Sequence, residues 1–281
     1  RTFHGNLFQA VGNSALTTRA TSVSGNPTKS VMTIVSEQDR HLFHLGTETT
    51  IGTPSTQDKM FIRFSNQEDI STYAPTSVNT AGTFRIDNGT KIIGAAKGKD
   101  YILIQTDTSA YVSQFVGPPF TFSIRQVGTN CGLIGQNASV SVDGAVFWMS
   151  DEGGFFIYDG TVKKLPCLVE DFVFTTKGNN LGINKNCGEQ VYAVKNSLFS
   201  EISWFYAKSG SNFVDRVVTY NYSENTWVTG SLARTSAADT SIFDKPYMTK
   251  FTQNTAGTLP TVNGISSSQG ASTYYEHETG V

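Results

Sequence analysis

Residues 128–174, GTNCGLIGQNASVSVDGAVFWMSDEGGFFIYDGTVKKLPCLVEDFVF, read as a β meander. Ser139–Val142 alternates small polar and apolar residues, Ala145–Met149 and Phe155–Tyr158 are apolar and aromatic, and Thr161–Leu165 sets Val162 and Leu165 among polar neighbours. Between these runs stand Asp143-Gly144, Asp151-Glu152-Gly153-Gly154 and Asp159-Gly160. Asp-Gly is the pair that a two-residue type I′ hairpin turn asks for, because both central residues sit at positive φ. Strand-length runs joined by tight turns make one antiparallel sheet, which is the grammar of a propeller blade. A sandwich or barrel meander would read the same way from this stretch alone.

Upstream, the pattern repeats. Thr83–Ile86, the turn Asn88-Gly89, Ile92-Ile93, the turn Lys97–Asp100, Tyr101–Gln105, the turn Asp107-Thr108-Ser109 and Tyr111–Phe115 give another four-stranded unit, after which Pro118-Pro119 punctuates the chain. Downstream, an apolar run at Val169–Thr175 and a Gly/Asn-rich linker over Lys177–Gly188 precede a third unit with strands at Gln190–Val194, Ile202–Tyr206, Val214–Tyr222 and Thr226–Val228. In it Trp227 opens the last strand after the polar turn Ser223-Glu224-Asn225, a device of kelch-type blades. Val31–Val35, His41–Leu45 and Met60–Phe64 are pieces of a further unit, with Gly46–Gln57 as a loose linker. Repeats of this kind need neighbours to bury their faces. At about 40–50 residues per blade, residues 31–281 would supply five or six.

The expected organisation is all-β: a connecting arm or edge strand over residues 1–30, then a β-propeller-like array of four-stranded antiparallel meanders over 31–281, incomplete in this chain. The tail from Ser231 is strand-poor, with Tyr247, Phe251, Tyr274 and Tyr275 as anchors, and begins another blade. The chain opens on Arg1 rather than Met, and we expect it to be part of a longer protein.

Composition narrows the function. Charged residues make up 16% of the chain, against an average of about 25%, so Ser, Thr, Asn and Gly carry the surface. A formal charge of −2 and a pI near 6.1 argue against a basic nucleic-acid footprint. The three cysteines, Cys131, Cys167 and Cys187, lack zinc or redox spacing and are expected as reduced structural thiols. No apolar signal segment stands in Arg1–Gly12, and no run approaches the roughly 18 apolar residues of a membrane span, so no membrane insertion by this chain is expected. Sequons at Asn88, Asn137 and Asn221 are taken as chance.

Few side chains suggest chemistry. His41 and His44 stand three apart on a strand and should face opposite ways, which disfavours a shared metal. The pairs Glu68-Asp69, Asp151-Glu152 and Glu170-Asp171 are adjacent in sequence, so each should diverge or be solvated. Lys91, Lys97 and Lys99 surround a hairpin tip, and Glu276-His277-Glu278 lies in a polar tail. Ser150–Gly154 overlaps a sialidase box only in part. No residue is put forward as catalytic, cofactor-binding or metal-ligating, no cofactor is expected, and the chain is not expected to be an enzyme.

A resemblance rests on short motifs in a shared order. They are FIRFSNQED (61–69), AGTF (81–84), GPPFTF (117–122), DEGGF (151–155), YDG (158–160), WFY (204–206), DRVV (215–218), YNY (220–222) and LART (232–235). In this order they resemble the propeller region of tail tubular, nozzle or stabilisation proteins of short-tailed bacteriophages, from about Val31 onward. The resemblance implies a structural virion protein, assembled in the host cytoplasm into a six-fold tail ring. That ring would sit below the tail adaptor, extend the tube, guide viral DNA and hold tail fibres. It also implies a tryptophan shortly after Thr235, where Ala237 and Ala238 stand. The alternatives are a carbohydrate-binding or depolymerising propeller, whose Trp148, Trp204 or Trp227 would stack on sugars, and a monomeric kelch-like interaction scaffold.

Overall fold

A strand covered on both faces is apolar throughout, and one with a wet face alternates. Both patterns are realised here. A computed structural model of the chain describes residues 20–239, with further strands at Phe3–His4, Phe8–Ala10, Tyr247–Phe251, Thr261–Val262, Ile265–Ser266 and Ser272–Glu276. The architecture is a β-propeller-like array of antiparallel meanders, each with its strands paired in chain order. The first comprises Met32–Ser36, His41–Leu45, Phe61–Phe64 and Gly82–Arg85; the second Ile92–Lys97, Ile102–Thr106, Ser109–Gly117 and Thr121–Thr129. The third comprises Ser139–Val142, Ala145–Met149, Phe155–Tyr158 and Val162–Lys164; the fourth Tyr192–Asn196, Glu201–Tyr206, Arg216–Asn221 and Thr226–Gly230. A three-stranded sheet of Ser236–Ala238, Tyr247–Phe251 and Ser272–Glu276 follows, so the tail carries more strand than its composition suggested. In the arm, Phe3–His4 pairs with Lys29–Ser30 and Phe8–Ala10 with Ala20–Ser22. The arm's Leu7, Val11 and Leu16 lie outside the described residues.

The chain divides into two compact units. One comprises Arg1–Leu133, Asp143–Val146 and Ile157–Lys163; the other Ile134–Val142, Phe147–Phe156 and Lys164–Val281. In the first unit the core is built of Phe43, Leu45, Ile62, Ile86, Ile92 and Ile104 with their neighbours. His41–Leu45 is central and buried at every position. In the second unit Trp204 is fully buried against Phe155, and Trp148 stacks on Phe156 at 5.7 Å. A smaller cluster joins Phe205, Val214 and Met248.

The turns follow backbone chemistry. Asp143 and Gly144 both have positive φ, 50° and 86°, as a type I′ turn requires. Asp159-Gly160 differs: only Gly160 has positive φ, and the turn runs on through Thr161 before Val162 starts the strand. Three hairpins instead use four-residue turns, Glu37–Arg40, Ser197–Ser200 and Tyr222–Asn225, whose last residue takes φ of 57°, 58° and 56°.

Three expectations are corrected. Thr83–Arg85 closes the first meander, pairing with Phe61–Arg63, and does not open the second. Pro118-Pro119 is the turn of a long hairpin within the second meander, not a boundary between units. Gly46–Gln57 is no loose linker. Glu48 is fully buried, and its carboxylate accepts from the Gly52 N–H at 2.7 Å and the Thr28 N–H at 3.1 Å. Arg63 donates to the Thr49 carbonyl at 2.8 Å, so the segment is fastened from both sides. The apolar run at Val169–Thr175 holds a short helix, Glu170–Phe174, with two acidic residues in its first turn, where the helix dipole favours them.

Candidate functional site

The hairpin Ser109–Gly117/Thr121–Thr129 is longer than its sheet. Its inner neighbour, Ile102–Thr106, pairs with it only as far as Ser113, so Gln114–Ser123 overhangs. Two prolines at the tip offer no N–H to a further strand. Burial switches along it: Ser109–Ser113 is covered, whereas Gln114–Val116 and Phe120 are exposed.

The underside of the overhang is anchored by rings. Phe122 packs edge-on against Phe43 at 4.8 Å, Phe64 at 5.0 Å and His41 at 5.0 Å, and faces Phe115 at 5.5 Å. Edge-to-face geometry of this kind adds to simple burial. Beyond these rings lies an open groove of about 840 Å³, bounded by Phe64, Gly82, Phe84, Val116, Phe120 and Ile124. That volume is within the range of ligand pockets, yet no side chain lining it is ionisable. Gly82 is needed there, since a Cβ at this position would stand 2.2 Å from Phe64 Cζ. A smaller cleft of about 190 Å³ lies by Glu37 and Lys97, which form an ion pair.

The titratable groups singled out in the sequence are dispersed. His41 faces the aromatic cluster, its Nδ1 donating to the Asp39 carbonyl at 2.7 Å, and burial lowers its pKa. His44 faces the other way, against Tyr73 at 5.0 Å. Burial, and secondarily the Arg63 charge, push His44 down to about 4, so it is neutral at physiological pH. The two imidazoles therefore serve opposite faces of one strand. Among the described residues no group of three or more His, Cys, Asp or Glu is placed to hold a metal ion.

None of the carboxylate pairs converges on a shared site, and Glu68, Asp69 and Glu170 turn to local partners. Glu68 pairs with Arg40, Asp69 accepts from the Ser71 N–H at 2.8 Å, and Glu170 pairs with Lys164 at 2.6 Å. Asp151 and Glu152 are exposed in their turn. Glu276 ends a strand, while His277 and Glu278 lie outside the described residues. None of the three cysteines is in a disulfide; Cys131 and Cys187 are buried, and burial pushes Cys167 up to about 11.

Two of the three tryptophans are inside, and Trp227 is half-buried. Trp148 and Trp204 are 0% exposed, and the Trp204 indole donates to the Ala138 carbonyl at 3.0 Å. Trp227 donates to the Pro166 carbonyl at 2.9 Å and stacks on Tyr220 at 4.5 Å. The groove residues Phe84, Val116 and Phe120 escaped the sequence reading. Their signal was an apolar strand running up to a Pro-Pro turn and resuming with Phe120, more apolar residues than one blade edge needs.

No family model matches the chain, and no curated protein matches it. Among solved structures the backbone is similar to a hypothetical selenium-binding protein from Sulfolobus tokodaii, at a TM-score of 0.42 and 8% identity over 77% of this chain. It is similar also to the AfRom2 CNH domain, at a TM-score of 0.45 and 11% identity over 86% of this chain and 70% of that one. A variant of the Synechocystis apocarotenoid oxygenase gives a TM-score of 0.42 and 10% identity over 88% of this chain and 62% of that one. The chain spans 56% of the length of the selenium-binding protein. These likenesses carry no inference about activity.

Proposed function

We propose that this chain is a structural, non-enzymatic virion component: a β-propeller-like part of the tail nozzle or hub of a short-tailed bacteriophage, packed into a ring that extends the tail tube and passes the genome. The ordered motifs from Phe61 to Thr235 support the family. The observation that carries the mode of action is the uncharged groove beneath the overhanging hairpin, lined by apolar side chains together with Thr, Ser and Asn, because a surface without an acid or base suits packing rather than acid–base chemistry. Partners on this reading are further copies in a six-fold ring, the tail adaptor and tail fibres. DNA passes without being gripped, since a formal charge of −2 supplies no excess of cations to neutralise phosphates. A sugar-binding propeller would need an aromatic platform, and none of the three tryptophans offers one: two are buried, and the third is stacked between other rings.

The test is the mass of the protein by light scattering and its negative-stain image, alone and with tail-adaptor complexes. Rings, or addition along the tail axis, support the proposal. A monomer that ignores tails and binds or cleaves host glycans overturns it.

A further inference from the structure

The groove is bordered by two sheet margins. Gly82–Arg85 is the last strand of the first meander and Thr121–Thr129 the last of the second, so each has one edge without a strand partner in its sheet. Such margins hold backbone donors and acceptors ready for another chain. Above them Phe84, Val116 and Phe120 are 38%, 53% and 78% exposed, a concentration of apolar surface that a solitary chain has no use for.

We propose that this face is where a second copy of this chain binds, the apolar tip of the hairpin packing into the uncharged groove of its neighbour. Two features of charge point to a copy as the occupant. The lining bears no ionisable side chain, so a charged segment would enter without a counter-charge, whereas the hairpin's own Val116-Gly117-Pro118-Pro119-Phe120 brings none. Patch and counter-patch then lie on one chain, as a homotypic contact requires. The formal charge of −2 across 281 residues also leaves little mutual repulsion between copies. This inference rests on the ring-forming reading above and names the surface that it uses.

Sedimentation velocity of the full chain from about 1 to about 200 µM, on wild type, Phe120→Asp, Val116→Asp and Leu168→Asp, tests it. Leu168 is 98% exposed and lies outside the groove, so its variant is the control. Wild type and Leu168→Asp are expected to associate alike, and the two groove variants to need at least about tenfold higher concentration. Thermal melting checks that all four fold, and the exposure of the substituted positions makes this straightforward. The proposal is overturned by a wild type that stays monomeric throughout. It is overturned equally by groove variants that assemble like wild type, or by assemblies that dissolve between about 0.1 and 0.5 M salt, since apolar contacts do not weaken with screening. Groove-dependent assembly that never adds to tails would sink the tail reading alone. Rings that add to tails regardless of Phe120 would sink this one alone.

Discussion

Two aromatic clusters invite comparison, one in each unit. In the second unit Phe155, Trp204, Trp227 and Tyr220 stack within 4.5–6.2 Å of their neighbours, and both indole N–H groups are spent on backbone carbonyls. In the first unit Phe43, Phe64 and Phe122 interlock just as closely, but their cluster ends at the open groove. Aromatic rings at similar spacing thus serve two ends. A cluster whose rings are covered and whose polar edges are satisfied only stabilises, whereas one that continues into exposed apolar surface offers itself to a partner.

The comparison can be broken most forcefully at the sealed cluster. Trp204→Ala removes the rings' contacts and one of the two hydrogen bonds to the Ala138 carbonyl, the Met149 N–H remaining, with an expected loss of about 3–5 kcal/mol in urea unfolding. A loss below 1 kcal/mol would show that this cluster is not closed. Acid should act next, and on the first unit. His44 is held neutral in the fold at about 4 by burial and by Arg63, with Tyr73 and Ser30 as its other polar neighbours. Its ordinary pKa is about 6.5, so its contribution is intact above pH 6.5 and falls away as pH drops through 4, by about 3 kcal/mol in all. Urea midpoints between pH 7 and 4 measure this, and His44→Leu should flatten the slope.

Gly82→Ala sharpens the comparison at the groove itself. The added methyl meets the buried Phe64 ring, and overpacking of that kind costs about 1–3 kcal/mol. If melting is unchanged, Phe64 has room to retreat and the floor of the groove is soft. Phe120→Asp is expected to have the smallest effect on stability, within about 0.5 kcal/mol, because an exposed side chain has little folded contact to lose. A larger loss would mean that Phe120 belongs to the core after all and that the two clusters are alike.

Much of this fold was legible in the sequence. The third and fourth meanders stand where the apolar runs and polar turns put them, because each hairpin there is short and closes on its immediate neighbour. The first and second were framed one strand out of step. Between Phe64 and Gly82 runs a connection that looks like the end of a unit, yet Asn66 Oδ1 accepts from the Thr80 N–H at 3.0 Å and Asn79 Oδ1 from the Thr76 N–H at 3.0 Å. Side-chain hydrogen bonds of this sort fold a long excursion back into its own sheet and leave no periodic trace. The groove was hidden for another reason. Val116 and Phe120 differ in no compositional way from the buried Val112 and Phe122; the early end of the strand beside them, at Ile102, leaves Val116 and Phe120 uncovered, while Phe122 turns in against Phe43 and Phe64.

That early end also separates two kinds of inheritance. Residues before Gln114 are answerable to the blade, as is the buried Phe122, while those from Gln114 to Phe120 project past it. Substitutions, or even changes of length, at the Pro-Pro tip would leave the ladder beneath untouched. A lineage could retune its choice of neighbour there without renegotiating its fold.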